Sequence, residues 1–381
     1  MTYYLPGYRS GGPIRTLTNL VERLGEEFRF KIVASDRDVF DKFPYGEVKT
    51  DTWNRVGKAD VFYCSPRNQT LGALLRLINQ TPHDVIYLHS FFGWDFMIKP
   101  LILRKFNLIA KKPTVLDPHG EFSEGALRLK GWLKKPYAQV ARFLGLYDEI
   151  IWQATSEYEV ADMKRVLGRV AARIVVAPDL LPELRTDEVF NRAVGKSAPL
   201  KILFLSRVSP KKNLDGALRI FREVNDRVDF SVVGPVDDER YWQNCQTLIR
   251  KLPRHVRVHY RGAVAPSLVS RVMAEHDLLF LPTHGENFGY VIAEALSVGT
   301  PVLISDLTPW RNLEEKGIGW DLPLDNPTAF AQEIDHCARM RPEEYMVWRR
   351  AILDKAAVLL SQDEAIEQNR QLFIQACQGS S

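Results

Sequence analysis

Cysteine is scarce: four in 381 residues, at Cys64, Cys245, Cys337 and Cys377, with no CxxC pair. That spacing argues against a disulfide framework or a cysteine-ligated zinc site and suits a reducing cytosol. Long apolar runs are missing too. A membrane-spanning helix needs about 18 apolar residues, whereas stretches such as LLFL at 278–281 are strand-sized. The opening MTYYLPGYRSGGP has no basic segment ahead of an apolar one, so no secretory signal is expected. Neither sign of charge dominates. Lys and Arg number 51 against 47 Asp and Glu, and the resulting +4 is too small for a nucleic-acid binder driven by bulk charge. No GxSxG elbow of a hydrolase occurs, and Gly195-Lys196-Ser197 lacks the earlier glycine of a P-loop, because Phe190 stands there. Asp36 and Asp38 have the spacing of a chelating pair but no further ligand beside them, and read as a turn.

What is present is ordinary for a folded protein: 45% hydrophobic and 26% charged residues, which excludes intrinsic disorder. At roughly 150 residues per domain the length implies two domains or three. Short apolar runs alternate with helix-length segments. Strands are expected at 30–34, 85–89, 114–117, 150–154 and 174–177, with helices at 14–24 and 71–78 among them. From Pro178 to Pro199 the rhythm lapses into a proline-bearing, charged linker. It restarts with strands at 201–205, 230–233, 256–259, 278–281 and 301–304, and the stretch 343–377 reads as entirely helical. Near-continuous hydrophobicity in runs separated by helices implies parallel βαβ crossovers. The expected architecture is therefore α/β, with two doubly wound parallel-sheet domains at 1–180 and 200–355 joined by a linker at 181–199. Open parallel sheets bind ligands beyond the carboxyl ends of their strands. Two sheets facing one another would hold the ligand between them, so the residues just after each strand are the candidates.

The densest such segment is PTHGENFGYVIAEALSVGTP at 282–301, where a strand leads through Gly285 and Gly289 into a helix. A glycine turn into a helix start presents free N–H groups and a positive dipole end, which suit phosphate. Glu286 lies on the turn and Glu294 in the helix between two alanines. A carboxylate there can accept hydrogen bonds from adjacent sugar hydroxyls, although a solvated surface pair is the plain alternative. LSRVSPKKN at 205–213 is another strand-to-helix passage, bringing Arg207 and Lys212 to a strand tip, where they either grip a diphosphate or form a solvated basic turn. His119 in DPHGE follows a first-half strand, and Gly12 in SGGPI opens the first helix. The stretch 128–146, RLKGWLKKPYAQVARFLGL, is basic and carries aromatics. It would suit either an anionic lipid surface or the solvated side of an ordinary helix.

Together these segments resemble the retaining glycosyltransferases of family 4, over nearly the whole chain. The sharpest likeness is the E-x7-E pattern of Glu286 and Glu294 within HGENFGYVIAEALSVGTPV; HDVIYLH and ATSEYE are further similar segments. The resemblance implies a GT-B fold, two Rossmann-like domains facing across a cleft, with a C-terminal helix at 356–381 crossing back to the first domain. It implies that Glu286 contacts the donor sugar, that Glu294 holds the ribose, and that Arg207 and Lys212 bind the donor diphosphate. Backbone groups at Asn287, Phe288 and Gly289 would meet sugar and phosphate. His119 would hydrogen-bond the transferred sugar, and Gly12 would lie beside phosphate or acceptor.

The function so implied is transfer from a UDP-, GDP- or ADP-sugar to a glycan or lipid-linked acceptor, without metal or other cofactor. It would take place in the cytoplasm or on the inner face of the cell membrane, in synthesis of a bacterial surface polysaccharide. A nucleotide-sugar epimerase, or a sugar-nucleotide-binding protein without turnover, would keep the same residues. Two departures from the family are visible. Only Met1–Leu5 precede Pro6 where a full first strand is usual, so Tyr3-Tyr4-Leu5 is expected as a stunted strand or the start as truncated. Pro178-Asp-Leu-Leu181 also stands where the family has Pro-Asn-Gly, so the hinge turn must differ.

Overall fold

The computed structural model describes residues 1–39, 41–122, 137, 141, 144–182, 198–265 and 268–378. The chain forms two compact units, one of Met1–Pro182 with Gln362–Ser381 and one of Glu183–Ser361.

The first unit begins with helix α1 (Gly12–Leu24), whose buried Ile14, Leu17, Leu20, Val21 and Leu24 recur at helical spacing. The last four pack on strands β1 (Lys31–Ser35) and β3 (Ala59–Cys64), which pair in parallel, while β2 (Trp53–Val56) lies antiparallel on the outer side of β3. After α2 (Leu71–Gln80) come β4 (Ile86–His89), α3 (Lys99–Lys105), β5 (Thr114–Asp117), β6 (Ile150–Ala154), α4 (Glu157–Leu167) and β7 (Arg173–Val176). Strands β4 to β7 make a four-stranded parallel sheet in sequence order. β5 and β6 are buried along their whole length, as strands covered on both faces must be.

Two expectations for this unit need correction. Met1–Leu5 forms no strand; it runs beside β1, where Ser35 N donates to Thr2 O at 2.9 Å. The β1–β3 and β4–β7 sheets are accordingly separate, and β2, read from the sequence as neither strand nor helix, gives the first of them an antiparallel edge.

In the second unit β8 (Leu200–Leu205), α5 (Leu214–Ile220), β9 (Val228–Val233), α6 (Glu239–Ile249) and β10 (Val256–Gly262) are followed by α7 (Val269–Ala274) and β11 (Leu278–Leu281). Then come α8 (Tyr290–Ser297), β12 (Val302–Ser305), β13 (Gly319–Leu322), α9 (Pro327–Arg339) and α10 (Pro342–Leu359). All six strands are parallel, in the order β10-β9-β8-β11-β12-β13. Counted from β8 this is 3-2-1-4-5-6, the dinucleotide-fold order, whose direction reverses between β8 and β11. That reversal opens a crevice at the carboxyl ends of those two strands.

The stretch 343–377, expected as entirely helical, is broken, and the C-terminal helix expected from 356 starts at Asp363. Ser361 and Gln362 interrupt it, Gln362 Oε1 accepting from Leu181 N at 2.7 Å, and α11 (Asp363–Gln378) restarts with two acids in its first turn. Helix α11 belongs to the first unit. It buries Asn369, Leu372, Phe373 and Ala376 there, with Phe373 against Phe28, Phe30 and Tyr87.

Candidate active site

In the second unit the loops after β8 and β11 are tied together by hydrogen bonds. After β8 the chain makes one turn of 3₁₀ helix, Pro210–Lys212, and reaches Asn213 in the left-handed conformation (φ 59°). Asparagine tolerates that conformation, and its side chain here works twice. Oδ1 caps α5 by accepting from Gly216 N at 3.2 Å, and Nδ2 donates to Pro282 O at 2.8 Å, just after β11. His284 N and Thr283 Oγ1 both donate to Lys211 O, at 2.9 and 3.1 Å. Replacing Asn213 with alanine removes the cap, the cross-loop bond and the tolerant φ, so a loss of about 2 kcal/mol is expected in urea unfolding. Asn213→Gly should recover only the conformational part.

These ties bring Lys212 and Glu286 together. The ammonium and the carboxylate form an ion pair with side chains only 12% and 11% exposed. Glu286 N donates to Leu307 O, and Trp310 Nε1 donates to Phe288 O at 2.7 Å, holding the turn from behind. Gly289 ends the turn at φ 82°, where a Cβ would stand 2.9 Å from Ile292 Cδ1 and 3.2 Å from the Trp310 ring nitrogen, so glycine is required. It is the N-cap of α8, which no side chain caps and whose first turn has no acid. The positive end of α8 thus lies beside the Lys212–Glu286 pair. Glu294 is buried in α8, 8% exposed, flanked by fully buried Ala293 and Ala295.

Arg207 is placed otherwise. It follows β8 but turns to the loop after β9, its guanidinium 2.6 Å from Asp237 Oδ2, and is half exposed. Sequence reasoning did not see Asp237 or Trp310, although both follow strands and the same rule that singled out Lys212 reaches them.

His119 and Gly12 are residues of the first unit. There Gly11, not Gly12, has the unusual backbone (φ 74°), while Gly12 begins α1 with open space where a Cβ would be. Of the acidic pair, Asp38 holds the approach to α1 by accepting from Tyr8 N and Arg9 N at 2.9 and 3.1 Å, and Asp36 pairs with the Arg37 guanidinium at 2.8 Å. His119 (φ 51°) and Gly120 (φ 71°) are the centre of a tight turn closed by Glu121 N donating to Pro118 O.

A buried polar cluster surrounds that turn at the carboxyl ends of β4 to β7. Asp117 Oδ1 accepts from His119 N at 2.9 Å, and Oδ2 lies 3.2 Å from His119 Nδ1. His89 Nδ1 is 2.9 Å from His119 Nε2. Glu159, in the first turn of α4, accepts from Gly120 N at 2.6 Å and from Thr155 N and Oγ1 at 2.8 and 2.7 Å. Glu121 accepts from Ser90 Oγ at 2.8 Å and Phe91 N at 2.6 Å. Burial holds both imidazoles below their ordinary range and the Asp117 carboxyl well above its own. Burial, reinforced by the charge of Asp117, also pushes Asp179 up to about 7.

His89, Asp117 and His119 are near enough to suggest a metal site. However, Asp117 and His89 face opposite nitrogens of the His119 ring, so the three groups form a chain rather than converge on one point. Of these residues the sequence singled out only His119. His89 and Glu159 lie in HDVIYLH and ATSEYE, and Asp179 in the altered hinge. The stretch 128–146 lies outside the described residues except for positions 137, 141 and 144–146, as do residues 183–197 of the linker expected at 181–199.

Residues 199–339 match the family described as glycosyl transferases group 1. Among curated relatives, an uncharacterized 41.2 kDa protein in the cps region of Klebsiella pneumoniae is 26% identical over 64% of this chain and 66% of its own length. The phosphatidyl-myo-inositol mannosyltransferase of Mycobacterium leprae is 31% identical over 35% of this chain and 36% of its own. The matched segments thus take in just under two thirds of the first relative and about a third of the second. Among solved structures, sucrose-phosphate synthase from Thermosynechococcus elongatus has a TM-score of 0.69 at 16% identity, over 96% of this chain and 93% of that one. Anabaena HepE, solved in complex with UDP and glucose, has a TM-score of 0.67 at 18% identity, over 98% of both chains. The fold is GT-B.

Proposed function

We propose that the protein is a retaining glycosyltransferase of the family 4 type, moving a sugar from a nucleotide diphosphate sugar to an acceptor hydroxyl. One observation carries this reading: the Lys212–Glu286 pair and the uncapped start of α8 share the crevice where the second unit's strand order reverses. A diphosphate there meets the Lys212 ammonium and the α8 dipole, and Arg207 adds a fork donor by exchanging Asp237 for phosphate. Catalysis consists mainly in neutralising the charge that grows on the departing diphosphate. No metal is needed for that work. Glu286 and the backbone of 287–289 hold the transferred sugar, Glu294 the ribose, and His119 a sugar hydroxyl. Gly12 lies beside phosphate or acceptor. Retention follows if the acceptor attacks the face that the leaving group vacates.

That HepE was solved with UDP and glucose supports a UDP-sugar donor ahead of GDP or ADP. The cps-region relative and the mannosyltransferase of a lipid support a bacterial surface glycan built on a lipid-linked acceptor. We place the reaction on the cytoplasmic face of the membrane. The proposed contact is peripheral; among the described residues no helix is long and apolar enough to cross a membrane. Exposed Phe106 and Leu108, close in sequence to Arg104, Lys105, Lys111 and Lys112, support such a contact.

Thermal melts with UDP, GDP and ADP test the donor site. The matching nucleotide at a hundredfold excess over its Kd should add about 2.7 kcal/mol of stability. Radiolabelled donor sugar should then be consumed only when acceptor is present; conversion without acceptor would mean an epimerase, and no conversion a silent binder. No shift with any of the three nucleotides would overturn the reading.

A further inference from the structure

The paired imidazoles of the first unit are left unexplained by sugar transfer alone. His89 ends β4, His119 follows β5, and pairing of these adjacent strands sets the rings side by side, centroids 5.1 Å apart and planes 16° from parallel. His89 is 4% exposed and Asp117 not at all. Two nitrogens 2.9 Å apart in so dry a place must share one N–H, since two lone pairs or two N–H groups facing each other would repel. The tautomer of one ring therefore dictates that of the other. Asp117 Oδ2 lies 3.2 Å from the far nitrogen of His119 without hydrogen-bonding to it, which leaves that nitrogen for a ligand, and the Tyr87 ring, 4.2 Å from His89, holds the other end of the row. Tyr87 is itself held by its hydroxyl, which donates to Gln153 Oε1 at 2.7 Å. Carboxylates of Asp179, Glu159 and Glu121 act on His119 from the segment after β7, from α4 and from its own turn.

We propose that His89 is a positioning residue: by sharing a single N–H with His119 it fixes the tautomer and ring plane that His119 offers to the transferred sugar. The catalytic half of this statement rests on the sugar-transfer reading; the tautomer half does not. Two-bond ¹H–¹⁵N spectra of histidine-labelled protein report the tautomer without any substrate. Wild type should give His119 as one tautomer, and His89→Ala should give a mixture. With that change kcat should fall about 10- to 100-fold, the range seen on losing a group that orients a metal-ligating histidine, with little change in KM for the donor. His89→Asn puts an amide N–H near the place of Nδ1 and should restore both the single tautomer and most of kcat. His89→Gln, which reaches instead toward the place of Nε2, should not. If His89→Ala fails to fold, the Asn and Gln variants carry the test between them. Unchanged His119 signals in His89→Ala, an unchanged kcat, or equal behaviour of Asn and Gln would each overturn the proposal. A tautomer change in a protein that transfers no sugar would uphold the positioning and remove the transferase reading instead.

Discussion

Lys212→Ala is expected to lower kcat/KM for sugar transfer by about 10²- to 10³-fold, the range found when a preorganised group facing developing charge is removed. The side chain has two tasks at this site. In the ligand-free protein it neutralises Glu286, and both groups are largely withdrawn from water. Without the ammonium the carboxylate keeps its charge beside the place proposed for the diphosphate, so the variant loses an attraction and gains a repulsion. Removing one member of such a pair also costs stability, so each assay needs a parallel melt. Glu286→Gln separates the effects, because it keeps the shape, drops the negative charge and leaves Lys212 in place. It should bind nucleotide diphosphate at least as well as wild type and yet transfer sugar more slowly. Lys212→Arg is no neutral control, since a rigid planar fork replaces a compact point charge. A Lys212→Ala enzyme with full kcat/KM would remove this residue from the reaction.

The other large effect is one of stability with pH. Asp179 titrates at about 7 in the folded protein against an ordinary aspartate value of 3.8, chiefly through burial. A pKa raised by folding means that the folded state holds the proton more tightly. The resulting stabilisation is complete below the unfolded value and is lost as pH rises toward 7. Asp179→Asn cannot ionise, so its stability relative to wild type should climb between pH 4 and pH 8, by at most about 4 kcal/mol at 1.4 per pKa step. His89 and His119 act in the opposite sense, because burial lowers their values and they lose stability as pH falls. Both proteins contain them, so they cancel in the difference apart from the direct action of Asp179 on His119. Urea midpoints of the two proteins at pH 5 and pH 8 decide the matter. An offset identical at both would show that Asp179 does not carry the buried proton.

Much of this was legible in the sequence, for reasons that also explain the rest. Strands such as 114–117, 150–154 and 278–281 announced themselves because both faces are buried and most of their residues are apolar. β2 is half polar and exposed, β3 opens with Ala-Asp, and β13 opens with glycine, so none has that signature. The rule that ligands sit beyond strand ends found Lys212 and Glu286. Their meeting depends on β8 lying next to β11, which no local pattern reveals. Arg207 was found by the same rule, but its partner Asp237 follows a different strand. His89 was missed as a partner of His119 for a similar reason: thirty positions separate them, and only the pairing of β4 with β5 closes the gap. Asp179 drew notice only as a departure from a familiar hinge; its burial among acids could not be read from PDLL.

Because the second unit is one unbroken span while the first is completed by Gln362–Ser381, the order of synthesis matters. A ribosome will have released all six strands of the 3-2-1-4-5-6 sheet before Phe373 exists to cover Phe28 and Tyr87. During that interval the earlier half must wait with an apolar face bare, a natural target for holding chaperones. Pulse-labelled nascent chains should therefore resist protease first in their middle and only last at their beginning.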